Sequence, residues 1–148
     1  MSLYLDASVL IPTLVAEAAT EVVEAYLHAA GQVRLISDFA AAEVGSGLSR
    51  LVRMGLLGSA EASARLADFD AWRAGTSSPV EVHPSDVRLA YVYVRRFDLK
   101  LRAPDGLHLG IARRLDATLV TLDRRLADAA RELGIAVAMP QVNEGEAP

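Results

Sequence analysis

The chain has 148 residues, of which 52% are hydrophobic and 23% charged, with a net charge of −4 at pH 7 and no cysteine. This length and balance suit one globular domain with its own core and exclude a disordered segment. The absence of cysteine excludes a disulfide framework and every thiolate zinc site and fits a reducing compartment, while the acidic balance argues against a protein that coats nucleic acid by bulk charge.

The elements follow in chain order. The apolar run "LYL" reads as a first strand and leads straight into Asp6. Pro12 interrupts the helical segment that follows, which predicts a short turn and then a longer helix. In "EAATEVVEAYLHAAG", Val22, Val23, Tyr26 and Leu27 share one face, and the pattern stops at Gly31. "VRLIS" reads as a second strand. "SDFAAAEVGSGLSRLVRMG" is a helix capped by Ser37 or Asp38, with Ala40, Val44, Leu48 and Leu51 repeating along it. "SAEASARLADFDAWRAG" begins at Ser59 and forms a helical hairpin with its predecessor. "VEVH", ending at His83, reads as a third strand, and "SDVRLAYVYVRRF" as a helix capped by Ser85. "PDGLHLGIARRLDA" is a helix beginning after Pro104. "ATLVTL" is a strand running up to Asp123, "DRRLADAARELG" a helix ending at Gly134, and "IAVAM" a last strand. The polar stretch "PQVNEGEAP", residues 140–148, is expected to fray.

Strands alternating with helices predict an α/β fold: a three-layer α/β/α sandwich around a mostly parallel sheet of about five strands. The N-terminus has no Lys or Arg before Arg34, no small-residue cleavage site, and an uncharged stretch too short for a bilayer. A soluble, cytoplasmic protein is therefore expected, with no membrane partner. His28, His83 and His108 are far apart and form no zinc motif, so a metal would be held mainly by carboxylate oxygens, which suits magnesium or manganese.

Asp6 and Asp123 occupy equivalent places, each between an apolar strand and a helix. Open α/β sheets bind ligands outside the carboxyl ends of their strands, where strand order reverses. If the strands before Asp6 and Asp123 are neighbours there, the two acids meet. Asp105, in the first turn of its helix, and Glu43, among alanines and glycines, can join them. Each acid alone has a plainer role. Asp123 can be an N-cap, Asp105 can complement the helix dipole, and Glu43 can lie at a boundary with its head in water. Asp6 is harder to explain this way, because Ser8 is the better cap. Four clustered carboxylates repel unless protons or cations neutralise them, and a bound Mg²⁺ or Mn²⁺ is the simplest neutraliser.

"YLDASVLI", "AAAEVGSGLSRL", "LRAPDGLHLGIARRLDA" and "LVTLDRRLADAARELG" resemble, in that order, the four motifs of PIN-domain ribonucleases, and in particular the VapC-type toxins of toxin–antitoxin pairs. The resemblance covers nearly the whole chain and points to a single PIN-like domain over residues 1–139. It places the four family acids on Asp6, Glu43, Asp105 and Asp123, with Ser8 matching a small hydroxyl residue after the first. Gly106 stands where alanine is commoner, which would loosen the helix start. The resemblance implies a Mg²⁺-dependent endoribonuclease, usually a homodimer, that cleaves structured RNA and is inhibited by a VapB-like antitoxin. In that chemistry Asp6, Asp105 and Asp123 form the metal shell, directly or through waters. Glu43 binds a metal or orients the attacking water, and Ser8 holds Asp6 or a metal-bound water, or caps the next helix. Arg50 and Arg124, each near one of these acids, are the candidates for RNA phosphate contacts. His108 is expected to pack or hydrogen-bond within the sheet–helix layer. A housekeeping PIN ribonuclease, or a non-catalytic PIN module binding RNA or protein, are the alternatives.

Overall fold

The computed structural model describes residues 1–141. A central sheet has the order β3-β2-β1-β4-β5, formed by β1 (Leu3–Leu5), β2 (Arg34–Ser37), β3 (Ser77–Val80), β4 (Thr118–Val120) and β5 (Val137–Ala138). Every pairing is parallel. Among the described residues seven α-helices cover the sheet: α1 (Ala7–Leu14), α2 (Thr20–Ala29), α3 (Asp38–Arg53), α4 (Ser59–Thr76), α5 (Pro84–Val94), α6 (Ala103–Leu115) and α7 (Arg124–Glu132). This is the expected α/β sandwich. The expected tail lies, from residue 142 onward, outside the described residues; before it, Pro140 is buried. No helix among the described residues is long and apolar enough to cross a membrane.

The central strand explains its own sequence. Leu3, Tyr4 and Leu5 are all buried, as a strand covered on both faces requires. Leu3 and Leu5 point into a core shared with α1, α2, α3 and α4, while Tyr4 points into a second core with α5, α6 and α7. The chain winds from β1 outward to β2 and β3, then returns to place β4 on the other side of β1. Strand order therefore reverses between β1 and β4, where Leu5 pairs with Val120.

Four expectations need correction. The third strand is Ser77–Val80, not "VEVH". The partner strand β2 ends at Ser37, which pairs with Val80, so the chain beyond Val80 has nothing to pair with. Pro79 is tolerated because β3 is an edge strand, which has no neighbour on its outer side to demand an N–H. The helix α5 is capped at His83 rather than Ser85. Pro84 takes the first turn, and the Asp86 carboxylate accepts the His83 backbone N–H at 2.8 Å. Pro12 sits within α1, and the break falls after Leu14 instead. Helix α6 begins at Ala103, with Pro104 inside its first turn, where a missing N–H costs nothing.

Helices α5 and α6 pack with little between them. A Cβ on Gly106 would lie 3.0 Å from the Ala90 carbonyl oxygen, and one on Gly110 would lie 2.9 Å from that of Asp86. Gly106 therefore permits a close helix contact, which is a stronger constraint than the looser start it implies. Asp86, 1% exposed, takes a bidentate contact from Arg114, with Nε at 2.7 Å and Nη2 at 2.9 Å. Burial would raise the Asp86 pKa, but the Arg114 hydrogen bonds and the His83 N–H hold it below the ordinary carboxylate range. The stability this gives is present above the unfolded-state pKa and is lost as pH falls through the lower folded-state value.

The glycines give a direct test of this packing. Gly110→Ala is expected to destabilise the protein by about 1–3 kcal/mol through overpacking. Gly45→Ala, in α3 where a Cβ would meet nothing within 4 Å, is expected to stabilise it by up to about 1 kcal/mol. Urea unfolding of the two variants measures both signs.

Candidate active site

The sheet's reversal point opens into a cleft of about 320 Å³, lined by Asp6, Ala7, Ser8, Glu43, Arg102, Pro104, Asp105, His108, Asp123 and Leu126. All four candidate acids and Ser8 therefore reach one place from four separate segments.

Asp6 follows β1 and is only 4% exposed. It is also the N-cap of α1, accepting the Val9 N–H at 3.3 Å. Ser8, expected to be the better cap, instead donates its hydroxyl to Asp6 Oδ1 at 2.5 Å and accepts the Leu122 N–H at 2.9 Å. Thr121 donates to Asp6 Oδ2 at 2.5 Å. Burial raises the Asp6 pKa above the ordinary carboxylate value, and the hydrogen bonds from Ser8 and Thr121 oppose that rise. Sequence reasoning missed Thr121. The signal was present in "LVTLD": once Leu5 pairs with Val120, Thr121 must lie beside Asp6.

Asp105 and Asp123 anchor themselves to the first turns of their helices. Asp105 Oδ2 accepts the Arg102 N–H at 2.9 Å, and the Arg102 guanidinium sits at the rim with Nε 3.9 Å away. Asp123 caps α7, with Oδ1 accepting the N–H groups of Arg125 at 3.0 Å and Leu126 at 3.2 Å. Glu43 Oε1 is hydrogen-bonded to His108 Nε2. Arg124 lines a neighbouring depression with Lys100 and Arg125, which shares Arg102 and Asp123 with the acidic cleft. Arg50, about 10 Å further along α3 than Glu43, lines neither.

The donor set suits a hard divalent cation. Among the described residues no three acidic or histidine side chains converge closely enough to chelate an ion by themselves. Each acid is tied to the protein through one oxygen or by short hydroxyl contacts. Asp105 Oδ1 and Asp123 Oδ2 accept no hydrogen bond among the described residues. A loose set of carboxylates, with waters completing the shell, is how magnesium is commonly held, because it dehydrates reluctantly.

The sequence model of the PIN domain family matches residues 3–132. The chain belongs to the PIN domain family. No curated protein sequence matches it. Solved structures share its fold. Mycobacterium tuberculosis VapC20, described as a sarcin-ricin loop cleaving toxin, superposes with a TM-score of 0.69 at 17% identity, over 86% of this chain and 95% of that one. A DNA-bound VapBC from Salmonella typhimurium gives a TM-score of 0.68 at 15% identity, over 95% and 99% of the two chains. FitAcB from Neisseria gonorrhoeae gives 0.66 at 20% identity, over 93% and 97%.

The raised pKa of Asp6 sets a sign. Its ionised form is disfavoured in the folded protein, so the stability it contributes is full below the unfolded-state pKa and is lost as pH rises through the folded-state value. A divalent cation held by Asp6 would offset this loss at neutral pH. Millimolar Mg²⁺ or Mn²⁺ is expected to raise the melting temperature, by about 2.7 kcal/mol of added stability at 100 times Kd. Asp6→Asn is expected to melt no lower than the metal-free wild type, within about 1 kcal/mol, and to lose most of the metal-dependent gain. Calorimetric scans with metal and with chelator check both.

Proposed function

We propose that this chain is a divalent-metal-dependent endoribonuclease and the toxin of a VapBC-type toxin–antitoxin pair. The observation that carries this reading is the convergence of Asp6, Glu43, Asp105 and Asp123 on one cleft at the reversal point of a PIN-domain sheet. Asp6, Asp105 and Asp123 would hold the cation, Mg²⁺ or Mn²⁺. When bound, such an ion supplies a water of lowered pKa and neutralises charge on the phosphoryl oxygens.

The chain's own groups do the remainder. Glu43 Oε2 orients the attacking water and takes its proton. Ser8 and Thr121 keep the Asp6 carboxylate in one orientation. Arg102 at the rim, with Lys100 and Arg124 beyond it, holds backbone phosphates of the RNA. Cleavage needs an exposed backbone, so loops of structured RNA are the substrate class. The toxin assignment is supported by fold neighbours of which one is described as a toxin–antitoxin complex and another as a toxin. An antitoxin segment has a second groove available, of about 670 Å³, beside Leu14, Leu27, Phe69 and Trp72; a homodimer is the expected assembly.

Purified protein is expected to cleave structured RNA with Mg²⁺ and to stop when the metal is chelated. Asp6→Asn and Asp105→Asn, folded by circular dichroism, are expected to lose roughly 10²-fold or more of that rate. Undiminished cleavage by both variants would sink the assignment. Induction in a bacterial host is expected to arrest growth unless Asp6 is replaced; cleavage without arrest favours a housekeeping nuclease.

A further inference from the structure

Three of the four acids share a way of being held, and the fourth does not. Asp6, Asp105 and Asp123 each accept a backbone N–H at the start of a helix. Such N–H groups have no partner within the helix, so a carboxylate there is oriented by the backbone itself. Glu43 is the sixth residue of α3. The N–H groups around it are committed to the helix, so a side chain has to orient it.

The structure supplies one. His108, 3% exposed, meets Glu43 Oε1 through Nε2. Its Nδ1 lies 2.7 Å from the hydroxyl of Tyr4, a fully buried residue. That hydroxyl lies 2.8 Å from Ser37 Oγ, which accepts the Ala40 N–H at 2.9 Å. Three links join Ser37, Tyr4, His108 and Glu43, and three mobile protons are available: one each on Ser37, Tyr4 and a neutral imidazole. The ionised carboxylate can only accept, so His108 carries its proton on Nε2. The bare Nδ1 must then accept from Tyr4, and Tyr4 must accept from Ser37. Every donor and acceptor is satisfied in that direction and in no other. An imidazolium would turn the upper two links around and leave the Ser37 proton without an acceptor among the hydrogen bonds described. Burial raises the Tyr4 pKa, which keeps the phenol protonated for this role.

We propose that Tyr4 and His108 are positioning residues, which fix the Glu43 carboxylate through a one-directional chain of hydrogen bonds running from the Ala40 amide at the start of α3. The inference rests on the reading of Glu43 as the group that faces the attacking water. Aligned dipoles strengthen one another in a buried site, and Oε1 is thereby committed while Oε2 is left for the cleft.

The test has an arm that needs no activity. Nitrogen NMR of His108 in the whole protein near pH 7.5 should show a protonated Nε2 and a bare Nδ1, with a slowly exchanging Nε2–H. In Tyr4→Phe that proton should exchange faster. An Nδ1–H tautomer, an imidazolium, or a proton equally protected in Tyr4→Phe would overturn the proposal. The second arm measures Mg²⁺-dependent cleavage. Tyr4→Phe should lower kcat about 10-fold with KM unchanged, and should cost nothing further in a Glu43→Gln background. His108→Gln, which keeps a donor for Glu43, should retain more rate than His108→Leu. Equal losses from Tyr4→Phe in both backgrounds would mean that it acts through stability and not through Glu43. If the wild type cleaves no RNA, the proposed function fails while the NMR arm still decides the positioning.

Discussion

The pairing of β1 with β4 sets everything near the cleft. It is a short contact, Leu3 to Leu5 against Thr118 to Val120, but it lies where the sheet changes direction. One residue beyond its last pair are a carboxylate on one strand and a hydroxyl on the other. Because side chains alternate across a strand, slipping this register by one residue would turn Asp6 and Thr121 to opposite faces. Leu3 and Leu5 pack in one core and Tyr4 in the other, and a slip would also take the Tyr4 hydroxyl away from Ser37 and His108. Hydrophobic burial thus fixes a polar geometry that is itself unfavourable.

That geometry asks two things of Asp6. As a cap it satisfies a backbone N–H of α1, and as a buried acid it resists ionising. The two hydroxyls on Asp6 reduce the cost of burying its charge without removing it. The hydrophobic cores on either side of the sheet make this arrangement tolerable.

Much of this was legible in the chain. The acids that follow strands or open helices announce themselves, because an apolar run stopped by Asp6, or a Pro104–Asp105 helix start, has few physical readings. The alternation of strands and helices gave the sandwich. The third strand was misplaced because "VEVH" alternates well, while the true strand contains a proline and depends on where β2 ends. The capping role of His83 was hidden by a serine two residues later. The tie on Glu43 could not be read at all. Tyr4 and Ser37 are 33 residues apart, Glu43 and His108 are 65 apart, and Tyr4 and His108 are 104 apart. Only the register of the sheet and the packing of α6 against it bring them together. Local pattern finds residues held by their own backbone; it misses those held by distant side chains.

The close contact between α5 and α6 has a consequence for how this protein can vary. Gly110 faces only the backbone of Asp86, and Gly106 faces the backbone of Ala90 together with a methyl of Val94. A larger residue at Gly110 presses on the Asp86 backbone and shifts it relative to Arg114. Asp105 lies next to Gly106 on the same helix, so the close contact with α5 also helps to seat an acid of the cleft. Positions 86, 106, 110 and 114 therefore form one packed unit. A chain of this fold can change them together, by re-seating α5, or leave them as they are.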